Sequence, residues 1–411
     1  MAEPQTTEPV GEVADASALV PEQLGFMCGI EVHQQLATGK LHSRQPGLLY
    51  DITIDTVPSD WKRFERKLRP ARGEGGAIDI AARFESRRNR SFVYVQSPNA
   101  GLIELDDQPP LDHDEDAIQI ALTVSALLEA KPVSLLQTMR KTVVDGSNTS
   151  GFQRTSLVAT DGTLQTDGGP VGIDVLCLEE DSARKLDTLS TPNGEQVIYN
   201  LDRLGLPLIE IATAPDVTSP EHAQVTSMAL GRVLRQTRKV RRGLGSIRQD
   251  LNVSLACGDR VEIKGCQDLN WIPRIIRLEM SRQLHFYRLS NELRSMLNLA
   301  PLPPDRRSDE SELESSIAAA VSEHLPLNLV DVSTSFDSCE SKMVKGGLSK
   351  GHVMLGLPLA GLNGKIGTKE LDKEGAQLPR LGRELAGAAK LAGVKGVFHS
   401  DELPAYGIEQ E

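Results

Sequence analysis

One short apolar run, residues 206–212, constrains the fold more than any other stretch of this chain. Gly205 and Pro207 mark a turn at its start, and apolar residues on both faces predict a buried strand. Glu210 interrupts the run, and a carboxylate in such a strand costs several kcal/mol unless a cation or hydrogen-bond donors neutralise it. By itself this segment predicts either a metal ligand or a structural ion pair with an arginine such as Arg203.

Two more predicted strands carry acids. FMCGIEVHQQL alternates, so Glu31 and His33 project from one face, as cation ligands or as a solvated polar face. VGIDVLCLEEDSARK also alternates and ends in Glu179 and Glu180; both are candidate ligands, and the alternation favours Glu180. Acids on three separate strands favour a Mg²⁺ site, because this cation prefers carboxylate oxygens together with water and substrate phosphates.

A loop of small polar residues, DGSNTSG at 145–151, has the composition of an anion site, since backbone N–H groups and hydroxyls approach an anion closely there. A tight polar turn is the alternative, and the loop alone favours that turn. By composition and position, the candidate ligands for ATP or substrate are Ser147, Asn148, Thr149, Arg154 and Lys264.

A hairpin is predicted over residues 246–265, with Gly258-Asp259-Arg260 at its turn. Its polar face is either the wall of a site or a solvent-facing sheet, and it carries Arg248, Asp250, Asn252, Ser254, Glu262 and Lys264. Helices are predicted over 114–130, 220–240 and 271–298, and a short strand over 101–110. The second helix ends in a dense arginine cluster that indicates either a nucleic-acid contact or a solvated helix end.

Composition limits the class of protein. The chain has 411 residues and a net charge of −12, which excludes a generally basic nucleic-acid-binding coat. Its five cysteines form no CxxC pair, and no signal peptide or membrane span is recognisable, so we expect a cytoplasmic enzyme. Residues 1–24 predict a disordered acidic tail, 25–299 the catalytic domain, 300–312 a proline-rich linker, and 313–411 a second domain.

The chain resembles the GatB/GatE family, and within it the archaeal members rather than the bacterial B-type members. The resemblance runs from about residue 25 to the C-terminus and rests on GIEVHQQL, GLIELDDQPP, MRKTVVDGSNTSGFQRTSLVATDG, CLEEDSARK, YNLDRLGLPLIEIATAPD, GSIRQDLNVS, VEIKG and GVKGVFHSDELPAYGI. It implies an α+β fold, in which a mixed-sheet, cradle-type catalytic domain precedes a smaller α+β insertion domain. That second domain resembles the one found in bacterial-type aspartyl-tRNA synthetases.

The family implies a carbon–nitrogen ligase that uses ATP and Mg²⁺. It phosphorylates the glutamate side chain of misacylated Glu-tRNA(Gln), and ammonia from an asparaginase-like partner, the D subunit, then forms Gln-tRNA(Gln). The resemblance implies a Mg²⁺ site on Glu31, His33, Glu210 and the Glu179/Glu180 pair, and it leaves open which member of that pair binds the metal. The catalytic residues that it implies are Glu31, His33, Glu180 and Glu210. It also implies an assembly of two D and two E subunits.

Two departures from the family shape the expectations. Relatives often carry cysteines where this chain has HSRQP, at residues 42–46, so no zinc is expected. The chain ends within or just after the insertion domain, so we expect a truncated form that lacks the family's helical and tail domains, which bind tRNA. A truncated, non-catalytic scaffold that binds the D subunit or tRNA is therefore the alternative function.

Overall fold

The computed structural model describes residues 7–67, 76–78, 80–86, 90–192, 194–306, 319, 323, 328–359, 361–367 and 369–406. The chain forms two compact units. The sheet unit comprises Cys28–Asn252 and Glu262–Ile272, and the terminal unit comprises Met1–Met27, Val253–Val261 and Pro273–Glu411. This division does not follow the predicted boundary at 300–312, so the predicted domain limits stay predictions.

Within the described residues the strands are β1 (Met27–Gln35), β2 (Arg63–Lys67), β3 (Arg90–Val95), β4 (Lys131–Pro132), β5 (Thr138–Thr142), β6 (Phe152–Thr166), β7 (Gly169–Glu180), β8 (Arg184–Thr191), β9 (Gly194–Asn200), β10 (Pro207–Thr213), β11 (Ile247–Ser254), β12 (Val261–Lys264), β13 (Val330–Asp331) and β14 (Leu355–Gly356). The α-helices there are α1 (Ile80–Ser86), α2 (Glu115–Leu127), α3 (Pro220–Gln236), α4 (Ile272–Met296), α5 (Lys342–Leu348) and α6 (Leu381–Leu391). Short 3-10 helices lie at Ala16–Ala18, Pro21–Leu24, Ile54–Thr56, Ser333–Phe336, Leu269–Trp271 and Ser400–Tyr406.

The predicted acid-bearing strands become neighbours in one eight-stranded sheet, in the order β12-β11-β1-β10-β7-β6-β4, with β5 paired to β6. β10 runs antiparallel to β1 on one side and to β7 on the other. β10 thus lies between strands that are far from it in sequence. This arrangement brings together the three strands on which the sequence predicted a metal site.

A second, four-stranded sheet has the order β2-β3-β9-β8. β3 is parallel to β9, whereas the β2–β3 and β8–β9 pairs are antiparallel, so this sheet is mixed. Phe92 and Tyr94 lie in one apolar cluster, and Val93 and Val95 lie in another, so both faces of β3 are buried. The α+β class and the mixed sheet are confirmed, and the type of the second domain stays a prediction.

The three predicted helices are confirmed, and two of them begin at side-chain caps. The Asp114 carboxylate accepts a hydrogen bond from Ala117 N at the start of α2, and the Ser219 hydroxyl accepts one from His222 N at the start of α3. The predicted strand at 101–110 is wrong. Its first half folds as turns, because Leu105 N donates to Gly101 O and the Glu104 carboxylate accepts from Gly101 N.

The N-terminal segment differs from the predicted disordered tail wherever the structure describes it. In the terminal unit, Ala16, Leu19 and Leu24 are at most 3% exposed, and Ser281 Oγ donates to Val13 O. The prediction of disorder rested on the acidic composition of the segment and overlooked these spaced apolar residues. Their burial holds the segment in place. Residues 1–6 of the predicted tail lie outside the described residues.

The predicted linker is described only as far as residue 306, and 307–312 lie outside the described residues. Leu302 N donates to Asn291 Oδ1, and Arg306 N donates to Ala256 O, both within the terminal unit. Residues 300–306 are therefore held by packing and hydrogen bonds rather than extended as a free spacer. No helix in the described part of the chain is long and apolar enough to cross a membrane.

Candidate functional site

The register between β1 and β10 builds the first half of the site. Ile30 and Val32 are each 1% exposed and alternate with Glu31 and His33, which lie on the other face of β1. His33 lies directly opposite Glu210 on β10. A direct cross-strand pair projects to the same face of the sheet, so the strand pairing alone brings the imidazole to the Glu210 carboxylate.

β7 supplies the fourth member. Cys177 pairs with Glu210, and Glu179 follows two residues later on the same face of β7. The His33 Nε2 atom lies 3.4 Å from Glu31 Oε1, 3.3 Å from Glu179 Oε1 and 3.7 Å from Glu210 Oε2. We refer to Glu31, His33, Glu179 and Glu210 as the acid cluster.

Lys141 joins this cluster, although the sequence indicated it only as a flank of the polar loop. Its Nζ atom lies 3.7 Å from Glu179 Oε2 and 3.5 Å from Glu210 Oε2, and its side chain is 51% exposed. Burial lowers the pKa of Lys141, but the carboxylates of the acid cluster together raise that pKa above its usual value. A hairpin predicted around residues 143–151 would have identified Lys141. The hairpin pairs Lys141 with Gln153, which lies on the same face of β6 as Thr155, and Thr155 pairs with Glu179.

The electrostatics of the acid cluster favour a bound cation. Burial, and then repulsion by Glu210, raise the pKa of Glu179 to about 8 and raise the pKa of Glu31 as well. Burial lowers the pKa of His33, so its imidazole is predominantly neutral at pH 7 and able to ligate a metal. Among the described residues, the buried Glu210 Oε2 atom has no hydrogen-bond donor with good geometry.

These residues fit a divalent metal. One ligand atom each from Glu31, His33 and Glu210 lies within 4.8 Å of the others, which is the spacing of donors around one ion. Glu31 also belongs to a second such group, with Asp250 and Glu262 from the β11–β12 hairpin. The predicted polar face of that hairpin therefore adjoins the acid cluster. Glu31 is the residue that both groups share.

Lys264, predicted as an ATP or substrate ligand, lies on this side of the sheet. Its Nζ atom is 3.0 Å from Asp250 Oδ2 and 2.6 Å from Glu262 Oε1, and it is 67% exposed. The ammonium thus neutralises two acids next to Glu31 while it stays accessible from solvent.

Glu180 does not join the acid cluster. It lies on the opposite face of β7, where Arg154 Nη1 approaches its Oε2 atom at 3.0 Å, and burial raises the pKa of its carboxyl. The structure therefore corrects the preference for Glu180 over Glu179. Alternation puts the two acids on opposite faces of β7, and the pairing of Cys177 with Glu210 places Glu179 on the face of the acid cluster.

The polar loop is the tight turn that its composition allowed. Val143 N donates to Gly151 O, and the loop connects β5 to β6. The structure does not bring the loop's predicted ligands to the acid cluster. Ser147 Oγ donates to Asp145, Asn148 Oδ1 accepts from Ser182, and Thr149 Oγ1 donates to Glu104 O.

Like the predicted ligands in the loop, Arg154 does not reach the acid cluster. With Asn148, Thr149 and Glu180, it lines a cavity of about 10 Å³, which is room for one water molecule. The predicted ligand set of Ser147, Asn148, Thr149 and Arg154 therefore makes contacts within the protein, and its role in binding ATP stays a prediction.

Comparison with known proteins bears on the same residues. A sequence model described as the GatB/GatE catalytic domain matches residues 26–320, a range that contains the whole acid cluster.

Among curated proteins, the chain is 43% identical over 391 residues to the E subunit of glutamyl-tRNA(Gln) amidotransferase from Pyrococcus furiosus. It is 42% identical over 395 residues to the protein of the same name from Methanocaldococcus jannaschii, and 43% identical over 390 residues to that from Methanosarcina acetivorans. Each match covers 95% of this chain but only 55–56% of the relative. The chain thus spans about half the length of the curated relatives that it matches, and the resemblance to archaeal E-type members is confirmed.

Proposed function

Because the chain belongs to the GatB/GatE catalytic-domain family, we propose that it carries the ATP- and Mg²⁺-dependent kinase site of a glutamyl-tRNA(Gln) amidotransferase. The observation that supports this proposal most directly is the acid cluster, in which the His33 imidazole lies within 3.7 Å of three carboxylates and one ligand atom each from Glu31, His33 and Glu210 lies within 4.8 Å of the others. Phosphoryl transfer needs little covalent chemistry from the protein. It depends instead on positioning and on neutralisation of the phosphate charge, which a bound metal ion and lysines supply.

In the proposed first step, one oxygen of the glutamyl side-chain carboxylate on Glu-tRNA(Gln) attacks the γ-phosphorus of ATP. A new O–P bond forms, the bond from the γ-phosphorus to the β,γ-bridging oxygen breaks, and ADP leaves. The product is an acyl phosphate, in which the former carboxylate carries a good leaving group. No protein nucleophile and no redox partner is required.

Glu31, His33, Glu179 and Glu210 would hold the Mg²⁺ ion, which when bound supplies positive charge to the phosphate oxygens. The neutral imidazole offers Nε2, and Thr155 Oγ1 donates to Glu179 Oε2 at 3.2 Å, which orients that carboxylate. Lys141 and Lys264 are the proposed phosphate contacts of this chain, because both ammonium groups lie at the acids and stay accessible from solvent.

In the second step, ammonia attacks the acyl carbon, and the bond from that carbon to the phosphate oxygen breaks. Inorganic phosphate leaves, the amine loses one proton to solvent, and the glutamine amide remains on the tRNA. We propose that the ammonia comes from an asparaginase-like D subunit, in an assembly of two D and two E subunits. The names of the relatives, which are subunits of an amidotransferase, support the presence of partner subunits.

The second candidate function, a non-catalytic scaffold for the D subunit or tRNA, is not favoured. A docking surface does not need two partly buried carboxyl groups, Glu31 and Glu179, whose pKa values are raised by burial and by the charge of a third acid, Glu210, since such repulsion destabilises the fold. Strained electrostatics of this kind are typical of functional sites.

The test is calorimetric titration of the chain with a non-hydrolysable ATP analogue, in the presence and absence of Mg²⁺. We expect Mg²⁺-dependent binding by wild type, and its loss in Glu31→Ala and in Glu210→Ala. Asp161→Asn, which alters an acid that is 67% exposed and remote from the cluster, is the matched control and should bind as wild type does. Failure of folded wild type to bind, or Mg²⁺-dependent binding that survives both alanine variants, would contradict the proposal.

A further inference from the structure

Arg248 lies next to the acid cluster but belongs to neither metal-ligand group. It is on β11, which neighbours β1 in the eight-stranded sheet, and Gln35 N on β1 donates at 2.9 Å to Ser246 O, directly before β11. Asp250, two residues after Arg248, shares a ligand-atom group with Glu31. Alternation along β11 therefore places the Arg248 guanidinium on the face where the acid cluster lies.

A buried carboxylate orients this guanidinium. Arg248 Nη2 donates to Asp181 Oδ1 at 2.9 Å, and Asp181 is only 1% exposed. Asp181 is itself fixed, because Gln35 Nε2 donates to its Oδ2 at 2.7 Å and Ser182 N donates to its Oδ1 at 2.9 Å. The carboxylate thus holds one edge of the arginine in place.

The rest of the Arg248 side chain is available. It is 35% exposed, and within the described chain no further acceptor bonds its other N–H groups. Arg203, the second arginine beside Asp181, is the instructive contrast. Its Nε and Nη2 atoms donate to Ser182 O and Ala183 O, so this guanidinium makes structural hydrogen bonds to the backbone.

We propose, on the basis of the proposed function, that Arg248 binds the terminal phosphoryl group of the nucleotide and that Asp181 is its positioning residue. A planar fork of N–H donors matches phosphate oxygens, and a pre-oriented fork loses less freedom on binding. During transfer, negative charge spreads over the equatorial oxygens of the phosphoryl group, and a guanidinium beside the metal ligands stabilises that charge.

The experiment compares the affinities of a non-hydrolysable ATP analogue and of ADP, each with Mg²⁺, by calorimetry. Arg248→Gln should weaken binding of the analogue about 10- to 100-fold, the range expected for loss of a charge-assisted contact. Its effect on ADP should be several-fold smaller, because ADP lacks the terminal group. Arg248→Lys keeps the charge beside Asp181 but loses the fork, so it should fold as wild type does and show a weaker form of the same selective loss.

Asp181→Asn tests the positioning role. In this variant Arg248 is still present, but the preference for the analogue over ADP should be smaller than in wild type. A residue with only a structural role would not change this preference. Arg140→Gln is the matched control. It removes an exposed arginine that lies opposite Arg154 in the β5–β6 register, away from the acid cluster.

The outcomes separate this inference from the function on which it rests. Absence of Mg²⁺-dependent binding by wild type would overturn both. Binding by wild type that Arg248→Gln retains, or an equal loss of analogue and ADP affinity in that variant, would overturn only the assignment of Arg248.

Discussion

The two faces of β7 carry two groups of charged residues. Glu179 belongs to one group and its neighbour Glu180 to the other, and the two groups differ in their balance of charge. Glu179 faces the acid cluster, where acids predominate and Lys141 is half exposed. Glu180 faces what we call the buried network, which consists of Glu180, Arg154, Glu104 and Lys40. There Arg154 pairs with Glu180 at 3.0 Å, and the fully buried Lys40 Nζ lies 3.7 Å from Glu104 Oε1.

The difference lies in the balance of charge. The buried network has two cations and two carboxylates and is at most 11% exposed at any of these side chains, so its charges are compensated within the protein. The acid cluster has an excess of carboxylates, and its most buried member has a pKa raised to about 8. A closed, balanced group stabilises a local structure, whereas an open, unbalanced one is arranged for a ligand that brings positive charge.

The largest expected effect is a loss of stability when a residue of the buried network is changed. Glu180→Gln leaves the largely buried Arg154, whose side chain is 11% exposed, without its charged partner, which should lower the free energy of unfolding by about 3 kcal/mol. Mg²⁺ binding should be unaffected, because Glu180 faces away from the acid cluster. Urea denaturation measures the loss, with Asp161→Asn, whose exposed pair contributes little, as the control. A stability equal to wild type would show that the buried network does not hold the fold.

The neighbouring substitution should act in the opposite way. Glu179→Gln removes one of the mutually repelling acids, so the metal-free stability should be equal to or greater than that of wild type. The variant should also lose the stabilisation that Mg²⁺ gives wild type, which is about 2.7 kcal/mol at 100 times the dissociation constant. Unfolding curves with and without Mg²⁺ measure both quantities. Unchanged stabilisation by Mg²⁺ in this variant would remove Glu179 from the metal site.

The smallest effect concerns pH. Burial lowers the pKa of Lys40 to about 8, below the usual 10.5, so between these values the unfolded chain binds more protons than the folded protein. Stability should therefore rise with pH across this window, by up to about 3 kcal/mol. Urea denaturation at pH 7.5, 9 and 10.5 measures the rise.

The double variant Lys40→Met/Glu104→Gln removes both buried charges together and should abolish the Lys40 contribution to that rise. Lys131→Met, which alters a lysine that is 76% exposed, should retain it. The same pH dependence in the double variant and in wild type would mean that Lys40 titrates normally.

Much of the local structure follows from the residues themselves. Capping by Asp114 and Ser219 determined where two helices begin, and alternation identified β1, β7 and the β11–β12 hairpin. The isolated acid in an apolar run identified Glu210. These predictions succeed because capping, periodicity and the cost of a buried charge act over a few residues.

Other features could not be read from the sequence. Glu179 rather than Glu180 joins Glu31, His33 and Glu210, because the register of β7 against β10 pairs Cys177 with Glu210. Lys141 joins the acids because β5 folds back on β6, and Arg248 is oriented by an aspartate 67 residues away. The N-terminal segment, predicted to be disordered, is held where Leu24 and its neighbours are buried.

By itself, then, the sequence determined which strands carry acids and which residue types are present for cation and phosphate chemistry. The tertiary structure decided which of those residues share a site and which only stabilise the fold. The physical reason is that side chains alternate along a strand with a period of two. A register set by partners far away in the sequence therefore assigns each acid to one face or the other.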